Sequence, residues 1–269
     1  MYKKRVIPVL LLKNGLIVRS ELFKHHQIIG DPTTQLKRYN KWQVDELIYI
    51  DISQDDDYDV RRSDAKISTS GKVQILDIIQ EVSKSCFMPL TFGGRIRTLE
   101  DIRARLGHGA DKVSINTITH DDPNFVTRAS TKFGSQCIVV SIDVKRHRSG
   151  ECEVFKGGHI PTRKNPVIWA QEVERHGAGE ILLNSIDRDG TAKGYDVELI
   201  EDVSESVNIP VIAMGGVGHW KHMACCLSKT RASAVAAANK FHFTEMSYHR
   251  AKEYLEKGGF EIRNPIRSA

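Results

Sequence analysis

The sequence predicts a (β/α)8 barrel. Eight short apolar runs recur along the 269 residues, helix-like stretches separate them, and the two halves of the chain echo each other. The length agrees, because parallel barrels commonly run to about 250 residues as one unit. An apolar fraction of 40% supplies a sizeable core and argues against a disordered chain. One barrel domain is expected over residues 1–269, with a long polar loop at 53–70.

The apolar runs fall at 6–12, 46–52, 88–92, 112–116, 137–143, 180–185, 209–214 and 232–238. The first, with a charged residue before it and Lys13-Asn14-Gly15 after it, has the continuous apolar character of a strand buried on both faces. Amphipathic stretches at 71–84, 98–108, 123–133, 166–176 and 197–207 read as helices. Asp31-Pro32, Asp122-Pro123 and Asn165-Pro166 fit helix starts, with proline near the first helical position. Gly107-His108-Gly109-Ala110 and His176-Gly177-Ala178-Gly179 fit helix ends that lead into strands. The stretch 249–257, ended by Gly258-Gly259, reads as a closing helix.

The internal echo is specific. Met88–Gly94 parallels Ile209–Gly215, which puts Gly94 and Gly215 121 residues apart. Asp45-Glu46-Leu47-Ile48 parallels Gly179-Glu180-Ile181-Leu182, and Leu10-Leu11-Leu12-Lys13 parallels Ile142-Asp143-Val144-Lys145. A duplicated half-barrel explains the pattern. It also sets Leu11 against Asp143.

Composition narrows the function. The formal charge of +5 comes from scattered side chains, with no basic stripe for nucleic acid. No apolar run approaches the ~18 residues that a membrane span requires. The five cysteines are odd in number and lack a Cys-x-x-Cys pair, which fits reduced thiols in a cytoplasmic protein. No cofactor and no metal site are expected.

Catalytic groups of such barrels stand at the C-terminal ends of the strands. Those ends carry Leu11, Asp51, Gly93 and Gly94, Asn116 and Thr117, Asp143, Asp187 and Asp189 with Gly190, Gly215 and Gly216, and Asn239. The two glycine-rich turns let backbone N–H groups approach an anion, and their pairing through the repeat suggests two phosphate sites and a bisphosphate substrate. The aspartates are candidates for proton transfer, Asp143 above all. At the opposite ends lie Arg5, Glu46, Lys112 and Glu180, two bases and two acids able to satisfy one another in a neutral ring.

These residues carry a family resemblance. Gly30-Asp31-Pro32, Val44–Leu47, Gly109–Asn116, Phe133–Gln136, Arg175–Leu183 and Ser185–Thr191 resemble the cyclase subunit of imidazole glycerol phosphate synthase along nearly the whole chain. The resemblance implies a barrel whose N-terminal face docks a glutamine amidotransferase. Ammonia would pass through a gate formed by Arg5, Glu46, Lys112 and Glu180 to a phosphorylated substrate at the other mouth. It also implies departures. Leu11 stands where the family has a catalytic aspartate, and Arg19 where it usually has lysine. Arg95 replaces a glycine, and Met214 and Asn239 replace serines that help hold phosphate. The 7–13, 86–91 and 240–245 stretches look like a branch linked to acetamidino modification of sugars in bacterial surface polysaccharide. That branch implies an ammonia-channelling synthase subunit for acetamidino-sugar synthesis. The alternatives are the histidine-pathway cyclase, with Asp51 or Asp189 in place of the missing aspartate, and a non-catalytic scaffold that activates the amidotransferase.

Overall fold

The computed structural model describes residues 3–21, 25–54, 58–59, 72–242 and 245–263. Most of the polar loop expected at 53–70 therefore lies outside the described residues. In chain order the elements are β1 (Arg5–Lys13), β2 (Leu16–Glu21), β3 (His25–Gly30), α1 (Pro32–Lys41), β4 (Leu47–Asp51), β5 (Tyr58–Asp59), β6 (Lys72–Val73) and α2 (Ile75–Ser83). Then follow β7 (Leu90–Gly93), α3 (Leu99–Gly107), β8 (Lys112–Ile115), α4 (Thr117–Asp121), α5 (Asn124–Phe133), β9 (Ile138–Arg146), β10 (Cys152–Lys156) and β11 (Ile160–Pro161). The chain ends with α6 (Pro166–Arg175), β12 (Glu180–Ser185), α7 (Val197–Ser206), β13 (Val211–Met214), α8 (Trp220–Lys229), β14 (Ala234–Ala237) and α9 (Ser247–Lys257).

Eight of these strands close a parallel barrel in the order β1, β4, β7, β8, β9, β12, β13, β14 and back to β1. All eight apolar runs of the sequence become barrel strands. The helix expected over 71–84 is shorter, because Lys72–Val73 pairs with Tyr58–Asp59 and α2 begins only at Ile75. Two excursions were not expected. The antiparallel β2–β3 hairpin extends β1 above the rim, and β10–β11 does the same for β9.

Local chemistry fixes the helix starts. Asp31 and Asn165 cap α1 and α6, accepting from Thr34 N at 2.8 Å and from Val167 N at 2.9 Å. Asp122 bonds the backbone N–H groups of Asn124 and Phe125 at the start of α5 and also pairs with Arg128 at 2.6 Å. Two apolar layers result. Residues such as Leu10, Tyr49, Phe92, Trp169 and Tyr248 pack between strands and helices. A second cluster fills the barrel itself: Ile7, Val9, Leu11, Ile48, Val139, Leu182, Ile212, Met214, Ala234 and Ala236. Strand periodicity therefore points Arg5, Ile7, Val9 and Leu11 inward in one file, with Arg5 at the floor and Leu11 at the mouth.

The internal echo reappears in the backbone. Gly94 and Gly215 have φ of +88° and +99°. A Cβ on Gly94 would lie 2.0 Å from the carbonyl oxygen of Asp51, and one on Gly215 2.5 Å from that of Ser185. Asp51 and Ser185 end the second and sixth barrel strands, so each glycine presses against the equivalent strand end.

Candidate active site

At the floor, Arg5, Glu46, Lys112 and Glu180 meet as one closed ring. Arg5 Nη1 lies 2.5 Å from Glu46 and its Nη2 bonds Glu180. Lys112 Nζ lies 2.9 Å from Glu46 and 3.0 Å from Glu180. Thr91 Oγ1 adds a bond to Glu46 at 3.3 Å. Burial opposes the charges of Arg5 and Lys112, yet the two carboxylates outweigh it and hold both pKa values above the ordinary range.

At the opposite mouth, Asp143 sits near the end of β9 between two amides. Asn116 Nδ2 donates to its Oδ2 at 2.8 Å and Asn184 Nδ2 to its Oδ1 at 3.0 Å. Burial still pushes the Asp143 carboxyl up to about 6 against these bonds. Asp189 is also buried. Desolvation, with the nearby Asp143 charge, lifts it to about 7 against a bond from the Gly190 N–H. Among the described residues, its Oδ2 has no hydrogen-bond partner, and neither has Asn184 Oδ1 or Asn239 Oδ1. The mouth therefore holds two buried carboxyls with raised pKa values and several acceptors without a partner among the described residues.

A cavity of about 250 Å³ opens beside Asp189. Arg19, Glu21, Gly190, Met214, Gly215, Gly216, Asn239 and Lys240 line it. It thus gathers most of the residues expected to bind phosphate in the second half-barrel. Gly215 and Gly216 both take positive φ, at +99° and +90°, and keep the backbone open there. Asn239 uses its amide to bond the Ser20 carbonyl at 2.6 Å, which ties the eighth strand to β2. Gly190, at φ +73°, packs on Ser20 and Glu21.

Other expected residues have local tasks. Asp51 Oδ1 accepts from Ser53 N at 2.9 Å and Ser53 Oγ at 2.5 Å, so it shapes the turn after β4. Asp187 Oδ1 accepts from Arg146 N at 3.2 Å and Ser185 Oγ at 3.3 Å. Thr117 opens the short helix α4 directly after Asn116. Gly93 fits closely against Ser114, whose Cβ would lie 2.7 Å from an added Cβ. Gly94 is followed by Arg95, which itself holds a left-handed φ of +59°. Leu11 carries no proton-transfer group. It pairs with Val18 and Ile50 and belongs to the apolar cluster that includes Met214.

Sequence reasoning passed over Asn184. The signal was present: on β12, Glu180, Leu182 and Asn184 alternate, so a polar side chain faces inward at the mouth two residues above the apolar Leu182. Among the described residues, no group of three or more His, Cys, Asp or Glu side chains could hold a metal ion, and no helix is long and apolar enough to cross a membrane. The five cysteines are free thiols.

Comparison with known proteins agrees with this architecture. The profile of the family described as "Histidine biosynthesis protein" matches residues 5–247. The subunit named "Imidazole glycerol phosphate synthase subunit HisF" from Clostridium botulinum strain 657 is 41% identical over 265 residues, covering 98% of this chain and all of the relative. Those of strains Langeland and Kyoto are 41% and 40% identical over the same length. The chain belongs to the histidine biosynthesis protein family, among the HisF-type cyclase subunits.

Proposed function

We propose that this barrel is the cyclase subunit of an imidazole glycerol phosphate synthase, fed with ammonia by a glutamine amidotransferase docked over the ionic ring. The names of the relatives support this substrate better than the acetamidino-sugar role expected from the sequence. The observation that carries it within this chain is the Asp143–Asp189 pair. Forming the imidazole needs a base to take a proton from the attacking ammonia nitrogen and an acid to protonate the departing amine. Carboxyls poised at about 6 and about 7 divide those tasks. Near neutral pH the lower one, Asp143, is mostly ionised and serves as base. The higher one, Asp189, retains a proton to give. Asp189 thereby supplies the second carboxyl that Leu11 does not. Arg19, Lys240 and the Gly215–Gly216 turn would hold a phosphate beside Asp189.

A second reading rests on one observation. Leu11, Val18, Ile50 and Met214 belong to one apolar cluster, and Leu11 and Ile50 stand on strands across the barrel from that of Asp143, which suits a different acceptor and the acetamidino-sugar pathway. One assay separates the two. The purified barrel receives the histidine-pathway bisphosphate intermediate and ammonium salt, and imidazole product is followed. Turnover near that of an ordinary cyclase supports the first reading. No turnover, with glutamine hydrolysis in the complex still stimulated by the barrel, sinks it and favours the second.

A further inference from the structure

Among the described residues, no side chain bonds Asp189: its carboxyl accepts from the next residue's N–H, and its Oδ2 has no partner. Its position must come from the backbone of the loop 186–196, so whatever fixes that loop fixes the proton donor. A single carboxylate does most of this fixing. Asp196, 2% exposed, receives Arg146 in a two-pronged grip, Nε at 2.8 Å and Nη2 at 2.9 Å. Arg188 Nε approaches the same carboxylate at 3.7 Å, and Arg188 Nη1 bonds the carbonyls of Gly194 and Tyr195 at 3.4 and 3.1 Å. Gly194 N in turn bonds the Gly216 carbonyl at 2.7 Å. Asp196 also caps α7 through Leu199 N.

We propose that Asp196, gripped by Arg146 and Arg188, is the positioning hub that sets Asp189 and the Gly215–Gly216 turn relative to each other. The geometry is that of a brace. Arg146 stands at the end of the fifth barrel strand, Asp196 at the start of the helix after the sixth, and Gly216 after the seventh. The loop between them is pinned at its far edge as well, where Gly190 packs on β2. A carboxylate at Asp196 is costly to bury. The two-pronged arginine bond offsets that cost and fixes direction as well as distance, which lysine does not do. The functional meaning of the hub rests on Asp189 acting as the acid.

The test reads the Asp189 carboxyl directly by carbon-13 NMR titration, assigned by difference against Asp189→Asn. The charged group that acts on Asp189 is Asp143 on β9, and Arg19 and Glu21 on β2 and Lys240 beyond β14 line the same cavity. All stay in place in Arg146→Met, and Arg188→Met is the second variant should the first fail to fold. Losing a nearby positive charge would by itself raise the Asp189 midpoint. Loosening the loop admits water and lowers it, so the two effects have opposite sign. The expected result is a fall of about one unit, which takes the protonated fraction at pH 7 from about one half to about one tenth. Asp143 should keep its midpoint. An unchanged or raised Asp189 midpoint in a folded variant overturns the hub. Full ammonium-dependent turnover by Asp189→Asn would instead remove the acid role from Asp189, and the titration would still report whether Asp196 positions the loop.

Discussion

The two ends of the barrel handle charge in opposite ways. At the floor, each of two carboxylates meets both an arginine and a lysine, and the four charges sum to zero. At the mouth, among the described residues, Asp143 receives hydrogen bonds from neutral amides and Asp189 from a backbone N–H, and burial raises the pKa of both. The same fold thus contains a saturated polar cluster and an unsaturated one. A saturated ring is held by its own members. An unsaturated pair exchanges protons, and its stray acceptors can be satisfied by a ligand.

Breaking the mouth should have the largest effect. Asp143→Asn removes the proposed base and is expected to slow ammonium-dependent turnover by about 10²–10⁴-fold. A loss below tenfold would move the chemistry elsewhere. Breaking the floor should do the reverse. Glu180→Ala leaves Arg5 and Lys112 sharing Glu46 alone, and we expect about 2–4 kcal/mol of lost stability by denaturant titration. Turnover with added ammonium salt should change little, while coupling to glutamine hydrolysis should fail. Adding Lys112→Ala should cost less than the two single losses combined, and simple additivity would argue against a ring.

The pH dependence of stability sharpens the contrast. Both mouth carboxyls titrate higher in the folded chain than the ordinary value of 3.8, so the folded state binds more protons between that value and about 7. Stability then falls as pH rises through this window, and the loss is complete above it. Asp189→Asn should remove its share, a relative gain on the order of 2–4 kcal/mol at pH 8 that vanishes near pH 4. Equal gains at both pH values would mean that burial does not hold the proton on Asp189. The smallest effect is expected at Arg95→Gly. This change relieves a left-handed arginine but gives up the side chain's own interactions, so the two effects oppose and the melting temperature should move by no more than a few degrees.

Much of the barrel was legible in the chain because each strand is locally encoded. A continuous apolar run, bounded by turn and cap residues, says strand regardless of its partners, and eight of them say barrel. The strand ends then gave Asp143 and Asp189, and the floor gave all four ring members. What escaped is non-local. Arg146 and Asp196 are 50 residues apart, and nothing in either neighbourhood announces the other. The hairpin β2–β3 was hidden because no residue of His25–Gly30 is buried and the run lacks the alternation that marks a half-buried strand. Asp51 and Asp187 looked like Asp143 in sequence. They differ only in the neighbours, Ser53 in one case and Ser185 with the Arg146 N–H in the other, that occupy their oxygens.

The glycine pair at 94 and 215 has a practical consequence for anyone wishing to redirect this barrel. A Cβ at either position would collide with the carbonyl end of the preceding strand, and no side chain relaxes a clash with backbone. The next position along is different in kind. Residue 95 already carries arginine at positive φ, while its counterpart Gly216 remains bare at +90°. Divergence between the halves has therefore entered one residue past the contact. Combinatorial libraries aimed at a new acceptor should leave 94 and 215 fixed and vary 95, using the untouched half of the same molecule as the reference.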